Sequence, residues 1–251
     1  MARLAYRLDG REDAPVLVLS GSLGTTTAVW DRQVNAFANR FRVLRYDHRG
    51  HGESDVPPGP YSVRELAEDV VALLAELGLE RVSFCGLSLG GAVGLTLAVD
   101  FPERVERLVL ACSAARFLDE AAWRERAALV RREGTAAIAD ATLARWLTPR
   151  LHEREPAVVD RIRRQVLATP REGYAACCDA LATWDYRRRL DDVQAPAFVV
   201  AGAEDPGRDG TEALAEAIGA PLVVLADAAH LANVEQPDRF NDAVLDYLDA
   251  T

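Results

Sequence analysis

Short apolar runs alternate with longer runs of helical periodicity along most of the chain. The short runs predict an edge strand over residues 4–8 and buried strands over 15–20, 42–46, 82–85, 107–112, 196–201 and 221–225. The longer runs predict helices over residues 28–39, 63–77, 92–99, 211–218 and 237–248. Strands that alternate with helices in this way indicate a mostly parallel sheet with helices on both faces.

The alternation stops between residues 116 and 189, where the pattern is helical and carries no strand signal. Helix breaks are expected near Gly134, Thr148-Pro149, Pro156, Thr169-Pro170 and Gly173. We therefore predict a core formed by residues 1–115 and 190–251, and a helical lid formed by residues 116–189. Ligands of open α/β sheets bind at the carboxyl edge of the strands, so we expect the lid to lie at that edge.

Composition and charge narrow the classes of function. The net charge of −10 disfavours a nucleic-acid partner, because such binding depends on clustered basic residues. The first residues, MARLAYRLDGRED, carry charges where a secretion signal needs an apolar core, and no apolar run approaches the ~20 residues of a membrane span. We therefore expect a cytoplasmic protein with no membrane partner, and the oligomeric state stays open. All 29 basic residues are arginine, which excludes covalent chemistry on lysine.

The segment GLSLGG, residues 86–91, lies between a predicted strand and a predicted helix. Glycines on both sides of Ser88 fit a sharp turn, in which side chains two positions away would collide with the adjoining elements. Such a turn exposes the serine hydroxyl at the carboxyl edge of the sheet, beside a helix N-terminus that stabilises negative charge. Ser88 is therefore either a nucleophile or only the cap of the helix, and the rest of the chain has to decide between the two.

A serine nucleophile needs a base, which is usually a histidine oriented by a carboxylate. His230 follows the last predicted strand and is expected at the carboxyl edge, whereas the other histidines lie in an early polar loop or in the predicted lid: His48, His51 and His152. Asp205 follows the strand over 196–201, which gives the chain order Ser, Asp, His expected of this arrangement. The rival carboxylates are first Glu204 and then, at greater distance, Asp209 and Asp227.

Hydrolysis by a serine also requires N–H groups that stabilise the oxyanion. The predicted donors are the amide of Leu89, which follows the serine, and the amide of Ser22, with Leu23 as its alternative. Gly21 and Gly24 allow this early loop to come close without obstruction by side chains. The four cysteines show no metal spacing and no ligand cluster occurs, so we expect neither a metal nor a cofactor.

Five segments resemble those of the α/β-hydrolase superfamily in the same order: LVLSGS, YDHRGHGES, GLSLGG, GAEDP and AAHLANVEQPDRF. Within that superfamily the chain resembles 3-oxoadipate enol-lactonases, through LSGSLGTTTAVWDRQ, RWLTP and EGYAACCDAL. Ser20 stands where a histidine is commoner in the superfamily, a departure that enol-lactonases also tend to show. The resemblance implies the α/β-hydrolase fold and a carboxylic ester hydrolase that opens 3-oxoadipate enol-lactone to 3-oxoadipate, in the β-ketoadipate pathway of aromatic catabolism.

The implied substrate is a small lactone with a carboxylate, which predicts a cationic partner inside an apolar pocket. The predicted lid carries 15 arginines against 11 acidic residues, a net charge of +4 that is either solvated or collects an anionic substrate. Arg116 is the first choice for the carboxylate, while Trp123 and Trp146 are predicted to line the pocket or to fill the lid's own core. A related esterase, perhydrolase or carbon–carbon bond hydrolase could use the same triad, and a binding protein without turnover is the alternative from another class.

Overall fold

A seven-stranded sheet forms the centre of the computed structural model, which describes residues 1–117 and 119–250. The strands are β1 (Tyr6–Asp9), β2 (Val16–Ser20), β3 (Arg42–Tyr46), β4 (Val82–Leu87), β5 (Val105–Ala111), β6 (Ala197–Gly202) and β7 (Leu222–Leu225). Their order across the sheet is β1-β3-β2-β4-β5-β6-β7, and every neighbouring pair is parallel except β1 with β3. The predicted mostly parallel sheet is confirmed.

Helices separate the strands along the chain. They are α1 (Asp31–Ala38), α2 (Val63–Glu76), α3 (Leu89–Asp100), α4 (Glu120–Glu133), α5 (Ala136–Trp146), α6 (Pro149–Arg154), α7 (Pro156–Ala168), α8 (Arg171–Thr183), α9 (Arg208–Ala217), α10 (Ala232–Glu235) and α11 (Pro237–Asp249). Helices α4 to α8 lie between β5 and β6, and we call residues 120–183 the helical insertion; it contains no strand. Within the described ranges, no helix is both long enough and apolar enough to cross a membrane.

Helix α2 shows how local sequence sets the ends of an element. The Ser62 hydroxyl accepts from the N–H of Glu65, and the Glu65 carboxylate accepts from the N–H of Ser62, which completes a capping box. At the other end, Gly78 has a φ of 68°, a left-handed conformation that glycine adopts without strain. The helix is therefore limited by the residue types at its two ends.

Several elements differ from the prediction. Strand β5 ends before Cys112, because this residue has a φ of 46° and so leaves the extended region. Helix α9 begins before the predicted residue 211, and the short α10 is absent from the prediction. Gly173 does not break a helix but lies inside α8, where a Cβ atom would stand 2.0 Å from the carbonyl oxygen of Gly50. This glycine permits close contact between the insertion and the core.

The order of the strands brings two loops together at the carboxyl edge. From β2 the chain passes outward to β3 and then returns to β4 on the other side of β2, which creates a topological switch point. The N–H of Gly90, after β4, donates to the carbonyl of Gly21, after β2, at 3.0 Å. The loops after β2 and β4 therefore meet at the position where ligands of open α/β sheets bind.

The core is most complete around β4 and α3. All residues of β4 are buried, and so are the residues of α3 from Leu89 to Val99. Small residues let the helix approach the sheet, since a Cβ atom on Gly94 would lie 2.8 Å from the ring of Phe84. The four cysteines are buried and unpaired, in keeping with a packing role: Cys85, Cys112, Cys177 and Cys178. The strand and helix on either side of Ser88 thus form a rigid support.

Candidate active site

Ser88 occupies a sharp turn between β4 and α3. Its φ of 57° and ψ of −111° lie outside the regions that residues with side chains favour, so the surrounding structure must hold the turn. A Cβ atom on Gly86 would lie 2.2 Å from the carbonyl oxygen of Gly90, and one on Gly90 would lie 2.1 Å from that of Ser20. Close backbone contacts therefore explain why both positions are glycine.

Hydrogen bonds fix the backbone of Ser88 on both sides. Its N–H donates to the carbonyl of Ala111 at 2.9 Å, and its carbonyl accepts from the hydroxyl of Ser113 at 3.0 Å. The side-chain hydroxyl does not cap α3, and it has no hydrogen-bond partner among the residues that the structure describes. Ser88 is 9% exposed and lines a pocket. The geometry therefore argues against the helix cap, which is one of the two roles that the sequence leaves open.

His230 and Asp205 form a hydrogen-bonded pair after strands β7 and β6. His230 Nδ1 lies 3.0 Å from Asp205 Oδ2, and Asp205 Oδ1 accepts from the N–H of Gly207 at 2.9 Å. Burial acts to raise the pKa of Asp205, but the hydrogen bonds from His230 and Gly207, with the His230 charge, leave this pKa below its ordinary value. Asp205 is therefore an anion at neutral pH. It accepts a hydrogen bond from the N–H at Nδ1, which leaves Nε2 of the imidazole available as a base.

The carboxylates considered as alternatives to Asp205 are not paired with His230. Glu204 and Asp227 are exposed, and both pair with Arg150 of helix α6. Asp209 is exposed in the first turn of α9, and His152 is exposed on α6. Throughout the described residues, no three His, Cys, Asp or Glu side chains cluster as metal ligands would.

The loop after β2 carries the predicted oxyanion donors to the Ser88 turn. Ser22 and Leu23 are buried and line the same pocket as Ser88, while Leu89 is the first residue of α3. Among the described residues, the backbone N–H groups of these three have no acceptor, and the Ser22 hydroxyl is also buried without a partner. Buried donors without partners are rare in folded proteins, and a bound oxyanion would satisfy them.

Two buried histidines, to which the sequence analysis gives no role, support this loop. His51 Nε2 accepts from the N–H of Gly24 at 2.8 Å, so the proton of this imidazole is on Nδ1, which lies 3.2 Å from the carbonyl of Arg49. His48 Nε2 donates to the carbonyl of Gly21 at 3.0 Å. Burial lowers the pKa of His51 to about 4 and that of His48 to about 3. Both imidazoles are therefore neutral at neutral pH, and they position the loop.

We expect these two histidines to destabilise the folded protein in mild acid. The unfolded chain binds a proton at each histidine near pH 6.5, whereas the folded chain does so only near pH 4 at His51 and pH 3 at His48. The free energy of unfolding should therefore fall as the pH drops below about 6.5, by about 1.4 kcal/mol per pH unit for each histidine. Urea unfolding at a series of pH values from about 7.5 to about 4.5 measures this slope.

The variant His51→Gln separates this effect from the titration of carboxylates. A glutamine amide can accept from Gly24 and donate to Arg49, but it does not titrate. The slope in this variant should be shallower by about 1.4 kcal/mol per pH unit. His152→Gln replaces an exposed histidine and should keep the slope of the unmutated protein. An unchanged slope in His51→Gln would show that His51 is not held neutral by burial.

A pocket of about 270 Å³ opens between the core and the helical insertion. Its wall combines core residues with residues of the insertion, among them Ser88, Asp205, His230, Trp123, Arg126, Arg145, Trp146, Tyr174 and Leu181. The ring of Trp146 stacks on the imidazole of His230 with centroids 6.1 Å apart, and the carbonyl of Trp146 accepts from the N–H of Leu231 at 3.0 Å. Trp123 and Trp146, the two tryptophans considered as pocket walls, thus both line it.

Positive charge dominates the ionisable groups of this pocket. Three arginines line it, namely Arg116, Arg126 and Arg145. Asp205 is the one acidic residue among its described lining residues. Arg116, the predicted partner of the substrate carboxylate, is half-buried, and its charge also acts on Asp185. The position of Arg126 in the sequence does not distinguish it from the other arginines of this segment.

Glu235 ties the loop after β7 to residues 146–150, which we call the insertion corner. Its buried carboxylate accepts from the N–H and the hydroxyl of Thr148, at 2.9 and 2.6 Å. The other carboxylate oxygen accepts from the N–H of Ala229 at 2.6 Å. One side chain therefore holds both the insertion and the residue that precedes the imidazole, a role that sequence analysis does not identify.

Replacing Glu235 by glutamine should lower both stability and turnover. The amide nitrogen of glutamine cannot accept, so at least one of the donors from Thr148 or Ala229 loses its partner in a buried site. The expected decrease in the free energy of unfolding is about 1 to 3 kcal/mol, measured by urea unfolding. Turnover should also fall, because the loop that positions His230 loosens. Glu153→Gln, an exposed substitution on α6, is the control, and equal stability of the two variants would contradict the expectation.

Comparison with known proteins gives one consistent result. Residues 14–237 match the sequence model of a family described as alpha/beta hydrolase fold. 3-Oxoadipate enol-lactonase 2 of Acinetobacter baylyi is 41% identical over 244 residues, which are 96% of this chain and 91% of the relative. The crystal structure of the enol-lactonase from Burkholderia xenovorans LB400 has a TM-score of 0.95 and 43% identity, covering 99% of this chain and 97% of the other. A hydrolase from Pseudomonas aeruginosa PA01 has a TM-score of 0.95 and 47% identity, covering 99% and 95%.

Proposed function

Because the chain belongs to the α/β-hydrolase fold family, we propose that it is a serine hydrolase in which Ser88 is the nucleophile, His230 the base and Asp205 the orienting carboxylate. Its proposed substrate is a small lactone that bears a carboxylate, and the likeness to enol-lactonases favours 3-oxoadipate enol-lactone. The observation that carries this proposal is the meeting of an unbonded serine hydroxyl, a histidine–carboxylate pair and three arginines in one pocket.

The proposed first step is attack by Ser88 Oγ on the ring carbonyl, while Nε2 of His230 takes the hydroxyl proton. Asp205 stabilises the imidazolium that forms. The negative charge on the carbonyl oxygen is stabilised by the N–H groups of Leu89 and Ser22, with Leu23 as the alternative to Ser22. Donors of this kind contribute about 2.7 to 4 kcal/mol each to the lowering of the barrier.

Collapse of this intermediate breaks the bond between the carbonyl carbon and the ring oxygen. The leaving group of an enol-lactone is an enolate that becomes a ketone, so this step makes little demand on protonation of the leaving oxygen. The proton that His230 took from Ser88 passes to this leaving group, which leaves the imidazole neutral again. His230 then takes a proton from water as the water attacks the acyl-enzyme. The reaction releases 3-oxoadipate and restores the Ser88 hydroxyl.

Residues 116–189, which include the helical insertion, are proposed to act as a lid over this pocket, while residues 1–115 and 190–251 form the core. The support for this division is that Trp123, Trp146 and Tyr174 line the pocket together with Ser88. A wall of aromatic groups excludes bulk water, which strengthens the electrostatic interactions that stabilise the oxyanion.

Hydrolysis of 3-oxoadipate enol-lactone by the purified protein tests the proposal. We expect release of 3-oxoadipate, with kcat/KM higher than for an uncharged lactone or a simple ester. Turnover of an ester without turnover of the enol-lactone would assign the protein to another class of carboxylic ester hydrolase. Absence of turnover on esters and lactones alike would support the alternative of a binding protein on this fold.

A further inference from the structure

Arg126 is held in the wall of the proposed active site by neutral groups. Its Nε donates to the hydroxyl of Tyr174 at 3.1 Å, and its Nη2 donates to the hydroxyl of Thr142. The guanidinium lies over the rings of Trp123 and Tyr174, at 5.9 and 5.7 Å from their centroids. Four contacts thus fix this side chain, and none of them neutralises its charge.

The absence of a counter-ion distinguishes Arg126 from its neighbour on the same helix. Arg131 pairs with Glu172 at 3.0 Å and with Asp179 at 2.6 Å. No carboxylate of the described residues lies within ion-pairing distance of Arg126, although it is partly buried. A cation that loses hydration without gaining an ion pair is unfavourable, so an anion bound beside Arg126 would restore the lost interactions.

We infer that Arg126 binds the carboxylate of the substrate, an inference that deepens the function proposed above and rests on it. The two hydrogen bonds within the protein use Nε and Nη2, while Nη1 has no acceptor among the described residues and can donate to a carboxylate. Because Tyr174 and Thr142 hold the guanidinium before the substrate arrives, little side-chain entropy is lost on binding. Trp123 Nε1, buried without a partner in the same wall, is a further unsatisfied donor.

Arg116 and Arg145 line the same pocket, but their side chains are not fixed as that of Arg126 is. Arg145 is exposed and Arg116 is half-buried, and the side chain of neither forms a hydrogen bond within the part of the chain that the structure describes. A cation without fixed geometry attracts an anion but does not fix its position. These two arginines therefore concentrate an anionic substrate at the pocket, whereas Arg126 sets the orientation of the lactone ring relative to Ser88.

Two lactones that differ in charge test this assignment. 3-Oxoadipate enol-lactone carries a carboxymethyl group where α-angelica lactone carries a methyl group, and the ring is the same. In Arg126→Gln we expect kcat/KM for the charged lactone to fall by about 10- to 100-fold, mainly through KM. The value for α-angelica lactone should change little. Tyr174→Phe removes one hydrogen bond that holds the guanidinium and should lower the ratio of the two kcat/KM values by less than Arg126→Gln does.

Arg131→Gln is the matched control, because it removes an arginine of the same helix that is paired outside the pocket. It should keep the ratio of the two kcat/KM values, and a thermal melt of each variant monitors the fold. Equal losses on the two lactones in Arg126→Gln would overturn the assignment, as would a larger selective loss in Arg116→Gln. Either result is compatible with the proposed hydrolase function.

A binding measurement distinguishes an error in the assignment of Arg126 from an error in the proposed reaction. Calorimetry with 3-oxoadipate and the Ser88→Ala variant requires no turnover, and adding Arg126→Gln should weaken binding by about 10- to 100-fold. If the unmutated protein hydrolyses neither lactone but this binding depends on Arg126, the proposed reaction is wrong, and Arg126 is confirmed as a binding site for a carboxylate. Binding of 3-oxoadipate that is the same with and without Arg126 would overturn the site.

Discussion

Replacement of Ser88 by alanine is expected to lower kcat for the enol-lactone by about 10⁶-fold. The variant retains the pocket and the His230–Asp205 pair but has no atom that can form the acyl-enzyme. His230→Ala should cause a loss of similar size, since the serine hydroxyl is a weak nucleophile without a base. Because nucleophile and base act as a unit, the double variant should be no slower than either single one. Initial rates at high enzyme concentration measure these residual activities.

A buried serine in the strand that precedes Ser88 provides the control. Ser83 lies in β4 and is not among the residues that line the pocket, so Ser83→Ala should retain the turnover of the unmutated protein. Circular dichroism of all variants checks the fold. Turnover by Ser88→Ala within about tenfold of the unmutated rate would remove Ser88 from the role of nucleophile.

The second large effect is expected for Asp205→Asn, which should lower kcat by about 10⁴-fold with little change in structure. An asparagine amide can donate to Nδ1 of His230, and in that case the lone pair of the imidazole lies on Nδ1. The proton moves to Nε2, and the imidazole can no longer accept the proton of Ser88. The measurement is kcat as a function of pH in the variant and in the unmutated protein.

Glu204→Gln is the control for this variant, because Glu204 is exposed and its carboxylate pairs with Arg150. Its removal should leave kcat near that of the unmutated protein. The reverse ranking, with Glu204→Gln much slower than Asp205→Asn, would transfer the orienting role to Glu204.

The elements nearest to Ser88 could be predicted from sequence because local rules determine them. Apolar runs predict the strands, and Gly86 has a local cause in the strained turn, where a Cβ atom would meet the carbonyl of Gly90. The chain order of Ser88, Asp205 and His230 also predicts that the three residues lie close together, since parallel strands end at one edge of the sheet. Only the sheet order, however, shows that the loops after β2 and β4 are in contact.

Other parts of the candidate site depend on contacts between distant segments, which sequence periodicity does not contain. Arg126 is distinctive only because Thr142 and Tyr174 on other helices hold it, while no carboxylate of the described residues forms an ion pair with it. The same holds for Gly173, whose role depends on Gly50 in another part of the chain. A pattern of residue types along one helix cannot reveal either relationship.

The helical insertion is fixed to the core at several separate places. At the insertion corner, Thr148 binds Glu235 and Arg150 pairs with Asp227, while on α8 the backbone of Gly173 packs directly on Gly50. The segment cannot rotate away as one body without breaking one of these attachments. We therefore expect the proposed lactone to enter the pocket through local side-chain motion, so that turnover does not wait for a large opening movement. We also expect discrimination among substrates to depend on a pocket shape that is complete before any of them binds.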